Sequence, residues 1–85
     1  NFANAMYAAS ARLLEEHGLS FDVMLPLIDE TARKVHELHP SEAQTGPAVR
    51  YDRNVIDKHL ALLDNHPLYK ELYELTSRII HEAKD

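Results

Sequence analysis

An all-α fold, a small bundle of four main helices, is predicted by three observations on the sequence. Apolar residues recur at helical spacing in four segments. Residues that start or stop helices stand at the ends of those segments. Only two glycines occur among 85 residues, which argues against a loop-rich sheet protein.

The first segment runs from Phe2 to His17. Phe2, Met6, Ala9 and Leu13 form one row and Ala3, Tyr7 and Leu14 the adjoining one. Gly18 suits the residue after the helix, because it takes a left-handed backbone without a Cβ penalty, and Leu19 can then close back on Leu14. The alanines of this helix leave a slim surface that another helix can approach closely. Ser20 is a good N-cap for the second helix, with Asp22 in its first turn favoured by the helix dipole. Met24, Ile28, Val35 and Leu38 mark its inward face, with Phe21 and Leu25 beside them. Pro26 lies inside that pattern, so a kink is expected near the start. The helix should end before Pro40.

Residues 40–52 break the rhythm with two prolines and the second glycine. A turn is expected at Thr45-Gly46-Pro47, with Gly46 pushed toward extended geometry by the proline that follows. Asp52 then caps a third helix that carries Val55, Ile56, Leu60 and Leu63 inward. Asn65-His66-Pro67 ends it and begins the fourth, Pro67 fitting the first helical position. In the fourth helix Leu68, Leu72, Leu75 and Ile79 form one row and Tyr69, Tyr73, Thr76 and Ile80 a second. Two rows make an apolar face wider than a coiled-coil seam, more than a domain this small is expected to cover. A second copy or the remainder of a longer chain would cover the rest.

Eighty-five residues make one domain, 1–85, near the lower limit for standing alone. The chain has no cysteine, which removes disulfides and fits the cytoplasm. Its net charge of −5 and the lack of a basic stripe exclude nucleic acid as the expected partner. No apolar stretch approaches a membrane span, and no signal peptide is visible. The chain opens at Asn1-Phe2, inside a helical pattern and without a Met, which reads as a fragment of a longer protein.

Six histidines invite a metal reading. His36 and His39 would share a face, but a zinc site needs a third and usually a fourth ligand, and no His-Glu-x-x-His pattern is present. Histidines near helix ends, His17 and His81 included, are explained by attraction to the negative end of the dipole. No metal site is therefore assigned. His59 should border the inward face of the third helix, where a core-edge histidine with a hydrogen-bonded ring is favoured over a catalytic acid or base. Arg50 and Arg53 concentrate positive charge beside the irregular stretch. They suit an anionic ligand, or equally a carboxylate that ties down the loop. No glycine-rich phosphate loop, nucleophile elbow or paired-carboxylate motif occurs, so the parts of a complete enzyme are missing.

Ala43-Gln44-Thr45-Gly46-Pro47-Ala48-Val49-Arg50-Tyr51-Asp52, followed by Val55-Ile56-Asp57-Lys58-His59-Leu60, resembles a known family. It is similar to the helical domain of unknown function that follows a Rossmann-like domain in NAD(P) oxidoreductases. Asn1-Phe2, Leu14, Gly18-Leu19-Ser20-Phe21 and Pro26-Leu27 extend the likeness over nearly the whole chain. The resemblance implies a fold similar to the C-terminal domain of 6-phosphogluconate dehydrogenase, ketopantoate reductase and pyrroline-5-carboxylate reductase. It also implies a parent oxidoreductase whose absent N-terminal Rossmann domain binds NADP or NAD, with no cofactor expected on this piece alone. The helical domain would close a small-molecule substrate cleft and form a homodimer. Asn1, Thr45, Arg50 and His59 become candidate substrate-binding residues, with catalytic residues unassigned. Gln44 stands where that family has Leu, and Tyr51 where it has Gly, so a tight backbone approach to ligand at Tyr51 is not expected. A non-enzymatic helical interaction module, using the broad face of the fourth helix, is the alternative.

Overall fold

The computed structural model describes residues 1–83, and every regular element among them is helical. The helices are α1 (Phe2–Glu16), α2 (Leu25–Glu37), α3 (Pro40–Ala43), α4 (Arg53–Leu62) and α5 (Pro67–Glu82), with a 3-10 turn at Phe21–Met24 before α2. Four of these are long, at the four predicted positions. None is long and apolar enough to cross a membrane. The chain divides into two compact units, Asn1–Glu37 and Leu38–Asp85.

In the first unit α1 is closed at both ends by its own sequence. The Asn1 carboxamide oxygen accepts from the Phe2 amide at 2.7 Å. At the other end Gly18 takes φ 74, the Leu19 amide donates to Leu14 O at 2.9 Å and the Gly18 amide to Glu15 O at 3.1 Å. This is the Schellman closure expected of Gly18-Leu19. His17 Nδ1–H donates to Leu13 O at 2.9 Å and satisfies one more terminal carbonyl.

The Ser20 hydroxyl accepts from the Asp22 amide at 3.1 Å, as a cap should. What it caps differs from the expectation of one kinked helix. Phe21–Met24 winds as a 3-10 turn and the α-helix proper begins at Leu25. Pro26 is thereby the second residue of α2. An amide in the first turn has no intrahelical acceptor, so the proline removes no bond there and forces no interior kink. Along α2, Arg33 joins Glu30 at 2.8 Å and Glu37 at 2.5 Å, three and four residues away. No residue of this unit is fully buried. Phe21, Met24 and Ile28 are half-buried, whereas Val35 and Leu38, expected on the same inward face, are exposed. Nothing among the described residues covers that end of the stripe.

The second unit begins with a further departure. Pro40 ends the predicted second helix, which stops at Glu37, but also starts α3 inside the stretch expected to be irregular. His39 Nδ1 accepts from the Ser41 amide at 3.2 Å and from the Ser41 hydroxyl at 2.8 Å. A neutral ring nitrogen at a helix N-terminus acts here as the cap, not as a cation at a C-terminus.

Asp52 caps α4 as expected, its Oδ1 accepting from the Val55 amide at 3.4 Å. Pro67 opens α5 behind His66. α4 and α5 pack on each other. Ile56, at 1% exposure, is the centre of the unit, with Leu63, Ala48 and Ser77 also buried. Val55 and Leu60 are half-buried at the margin. On α5 the row Tyr69, Tyr73, Thr76 and Ile80 is half-buried, while Leu68, Leu72, Leu75 and Ile79 are exposed, Leu68 at 77%. One of the two predicted apolar rows thus has no cover among the described residues.

Candidate functional site

The stretch between α3 and α4 is a chain of tight turns. Val49 N–H donates to Gly46 O at 3.4 Å, Tyr51 N–H to Ala48 O at 3.1 Å and Asp52 N–H to Pro47 O at 2.9 Å. Gly46 enters it at φ 102, rather than in the extended geometry that the following proline suggested. Without a Cβ, glycine reaches that region freely. A Cβ there would meet nothing within 4 Å, so backbone conformation, and not crowding, calls for glycine.

Tyr51 leaves the turns at φ 51, in the left-handed region, although it is not glycine. That conformation costs an L-residue roughly 1–2 kcal/mol. Its ring has two neighbours that offset the cost. The His81 imidazole lies 5.2 Å away at a 51° tilt, and the Arg53 guanidinium lies over the ring at 5.5 Å. His81 Nδ1–H also donates to Val49 O at 3.2 Å, so the last turn of α5 is tied to the turns before α4.

The two arginines now separate. Arg53 is held by the Tyr51 ring and by Asp57 at 3.2 Å, one helical turn on. Arg50 is exposed, with no hydrogen bond, ion pair or ring contact among the described residues. It is the arginine left free for an anion.

His59 is half-buried on α4, and its Nδ1 lies 2.6 Å from the Tyr73 hydroxyl on α5. The two rings meet edge to face at 5.5 Å and 85°. This is the core-edge histidine with a bonded ring that the spacing favoured. Burial pushes the Tyr73 phenol above its usual value, while the Ser77 hydroxyl, one helical turn on, pulls the other way.

Of the four residues singled out in the sequence, Asn1 belongs to the first unit, where its side chain caps α1. Thr45, Arg50 and His59 belong to the second, and no hydrogen bond among the described residues joins them. Thr45 is exposed, its carbonyl accepting from the Gln44 side chain at 3.2 Å. A separate cleft of about 230 Å³ is lined by Ser41, Gln44, Val49, Ile79, Ile80 and Ala83. None of the four candidates lines it. Among the described residues no group of three or more His, Asp or Glu is placed to hold a metal.

Sequence reasoning missed Tyr73, Ser77 and His81 as polar partners. Tyr73 lies in an apolar row, where helical spacing weighs its ring and not its hydroxyl. Tyr73 and Ser77 are four apart on one helix face, which was the available signal. The His81 contact reaches back to Val49 across 32 positions, and no local pattern announces it.

The family model described as a domain of unknown function, DUF2520, matches residues 1–80, across both units. A crystal structure of a putative NADP oxidoreductase from Bacteroides fragilis is similar to the chain with a TM-score of 0.95 and 66% sequence identity. The match covers 96% of this chain and 32% of that one, so the chain spans about a third of the length of that relative. No curated protein matches.

Proposed function

The chain belongs to the DUF2520 family of domains, and from that membership we propose that it is the helical substrate-side and dimerisation domain of an NADP-dependent oxidoreductase. The observation that carries the reading is its likeness, at 66% identity over nearly all its residues, to one third of an oxidoreductase of that description. The nucleotide would be held mainly by a preceding Rossmann domain, and the whole of 1–85 would serve as one domain of the parent. A cysteine-free chain suits the cytoplasm, which this reading includes.

Within the domain the reading rests on the surface around the turns before α4. Arg50 is an uncommitted guanidinium next to a tightly bonded loop, suited to a carboxylate or phosphate on a small substrate. Thr45 and His59 extend the same candidate set, and Asn1 is retained from the family likeness. The exposed row Leu68, Leu72, Leu75 and Ile79 supports a second copy as the dimer partner.

The test uses the full-length parent. NADPH titrated against it should quench protein emission saturably, and the gene should encode a strand and a glycine-rich dinucleotide fingerprint before Asn1. Neither being found would sink the reading. Arg50→Ala leaving turnover unchanged would remove Arg50 alone.

The same exposed row favours a second reading, a non-enzymatic module that binds a different protein through α5. Under that reading a foreign partner protects Leu72 and Leu75, and replacing Arg50 and His59 leaves function intact.

A further inference from the structure

His59 has two ring nitrogens, and the structure uses one of them. Nδ1 is taken by the Tyr73 hydroxyl at 2.6 Å. Nε2 has no partner among the described residues. It is also not sealed in, because no buried side-chain nitrogen or oxygen among those residues lacks a hydrogen bond. Nε2 therefore reaches solvent from a half-buried ring.

The direction of the 2.6 Å bond decides what Nε2 can do. A phenol is a far stronger acid than the N–H of a neutral imidazole, so the favoured arrangement has Tyr73 O–H donating to an unprotonated Nδ1. Ser77, buried at 5% exposure one helical turn on, opposes the rise that burial gives the Tyr73 phenol, which favours the same direction. With Nδ1 occupied as an acceptor, the ring proton of neutral His59 must be on Nε2.

We propose that Tyr73 is a positioning residue that fixes His59 as the Nε2–H tautomer, an uncharged hydrogen-bond donor to a carbonyl or carboxylate oxygen on a small molecule. The edge-to-face contact at 85° holds the ring against rotation, so tautomer and orientation are set by one side chain. Tyr73 need not touch the ligand; it acts through the imidazole. The ligand half of this inference rests on the substrate-side reading above, whereas the tautomer half stands on the His59–Tyr73 pair alone.

The experiment is nitrogen NMR on protein labelled with 15N in the histidine rings, with His59 assigned from the signals that vanish in His59→Gln. The expected spectrum of neutral His59 has a proton on Nε2 and an acceptor signature at Nδ1. Tyr73→Phe should shift the Nδ1 resonance toward a free nitrogen and let the second tautomer appear. A proton found on Nδ1, or ring signals unchanged in a folded Tyr73→Phe protein, would overturn the assignment. Acetate, the smallest carboxylate, is then added to the full-length parent. A saturable shift at His59 Nε2 supports the donor role, and no shift there removes that role. Failure to bind NADPH would instead strike the oxidoreductase reading and leave the tautomer result standing.

Discussion

Tyr51 puts two opposing forces on one residue. Its backbone sits at φ 51, and its ring is held between His81 and Arg53. Removing the ring while keeping a Cβ loses the contacts and keeps the strain, so Tyr51→Ala should be the worse substitution. Tyr51→Gly loses the same contacts but relieves the backbone, and should be more stable than Tyr51→Ala by about 1 kcal/mol. Urea unfolding midpoints of the two variants measure the order, and Ala equal to Gly would show that position 51 carries no strain. Tyr73 makes a different residue-scale prediction. Its phenol is raised above the usual value by burial, so between the unfolded and folded values the folded chain holds a proton that the unfolded chain has released. The stabilisation is complete below pH about 10 and is lost as pH rises through the folded value. Unfolding midpoints followed upward from pH about 9 should fall more steeply for the native chain than for Tyr73→Phe, and parallel slopes would contradict the shift.

At the scale of elements, the legible features were those set by a few neighbouring residues. Gly18-Leu19 closed α1, Asp52 capped α4, and Pro67 opened α5, each by a bond or dihedral reaching no further than five positions. A glycine at φ 74 that meets no neighbour is a purely conformational requirement, so Gly18→Ala should cost about 1 kcal/mol, read from the thermal midpoint. What the sequence could not yield had other physical causes. Pro26 reads as a kink if its missing amide lies in a helix interior, yet it lies in a first turn, behind a 3-10 winding. Pro40 does stop the second helix, and what local spacing does not announce is the short α3 that it opens behind the His39 cap. The candidate site shows the same divide. The spacing around His59 predicted a bonded ring at the edge of the core, yet its partner lies 14 positions away on another helix. Arg50 and Arg53 look alike in sequence, and they differ only because Tyr51 and Asp57 engage the second.

At the scale of the whole molecule, apolar surface is plentiful and burial is sparse. Phe2, Leu62, Leu68, Leu72, Leu75 and Ile79 are all exposed, and the buried apolar side chains among the described residues are Ala48, Ile56 and Leu63. Truncating the most enclosed of these, Ile56→Ala, should cost about 3 kcal/mol by urea unfolding. A cost well under 1 kcal/mol would mean that the centre is looser than its enclosure suggests. If the exposed row of α5 is the dimer face, light scattering should return twice the monomer mass, and Leu72→Glu should halve it. A monomer at high concentration would reassign that row to the preceding domain.

The unequal burial of the two units also has a consequence in time. Backbone amides exchange with heavy water at a rate set by how much energy opens their hydrogen bonds, and sparse side-chain cover makes that energy small. The amides of α1 and α2, which no buried side chain anchors, should exchange through local openings within the early part of a deuterium time course. Those flanking Ile56 on α4 and Ser77 on α5 should persist longest and report the global event. Binding of a partner to the exposed row of α5 would then be read as slowed exchange of the α5 amides beneath it.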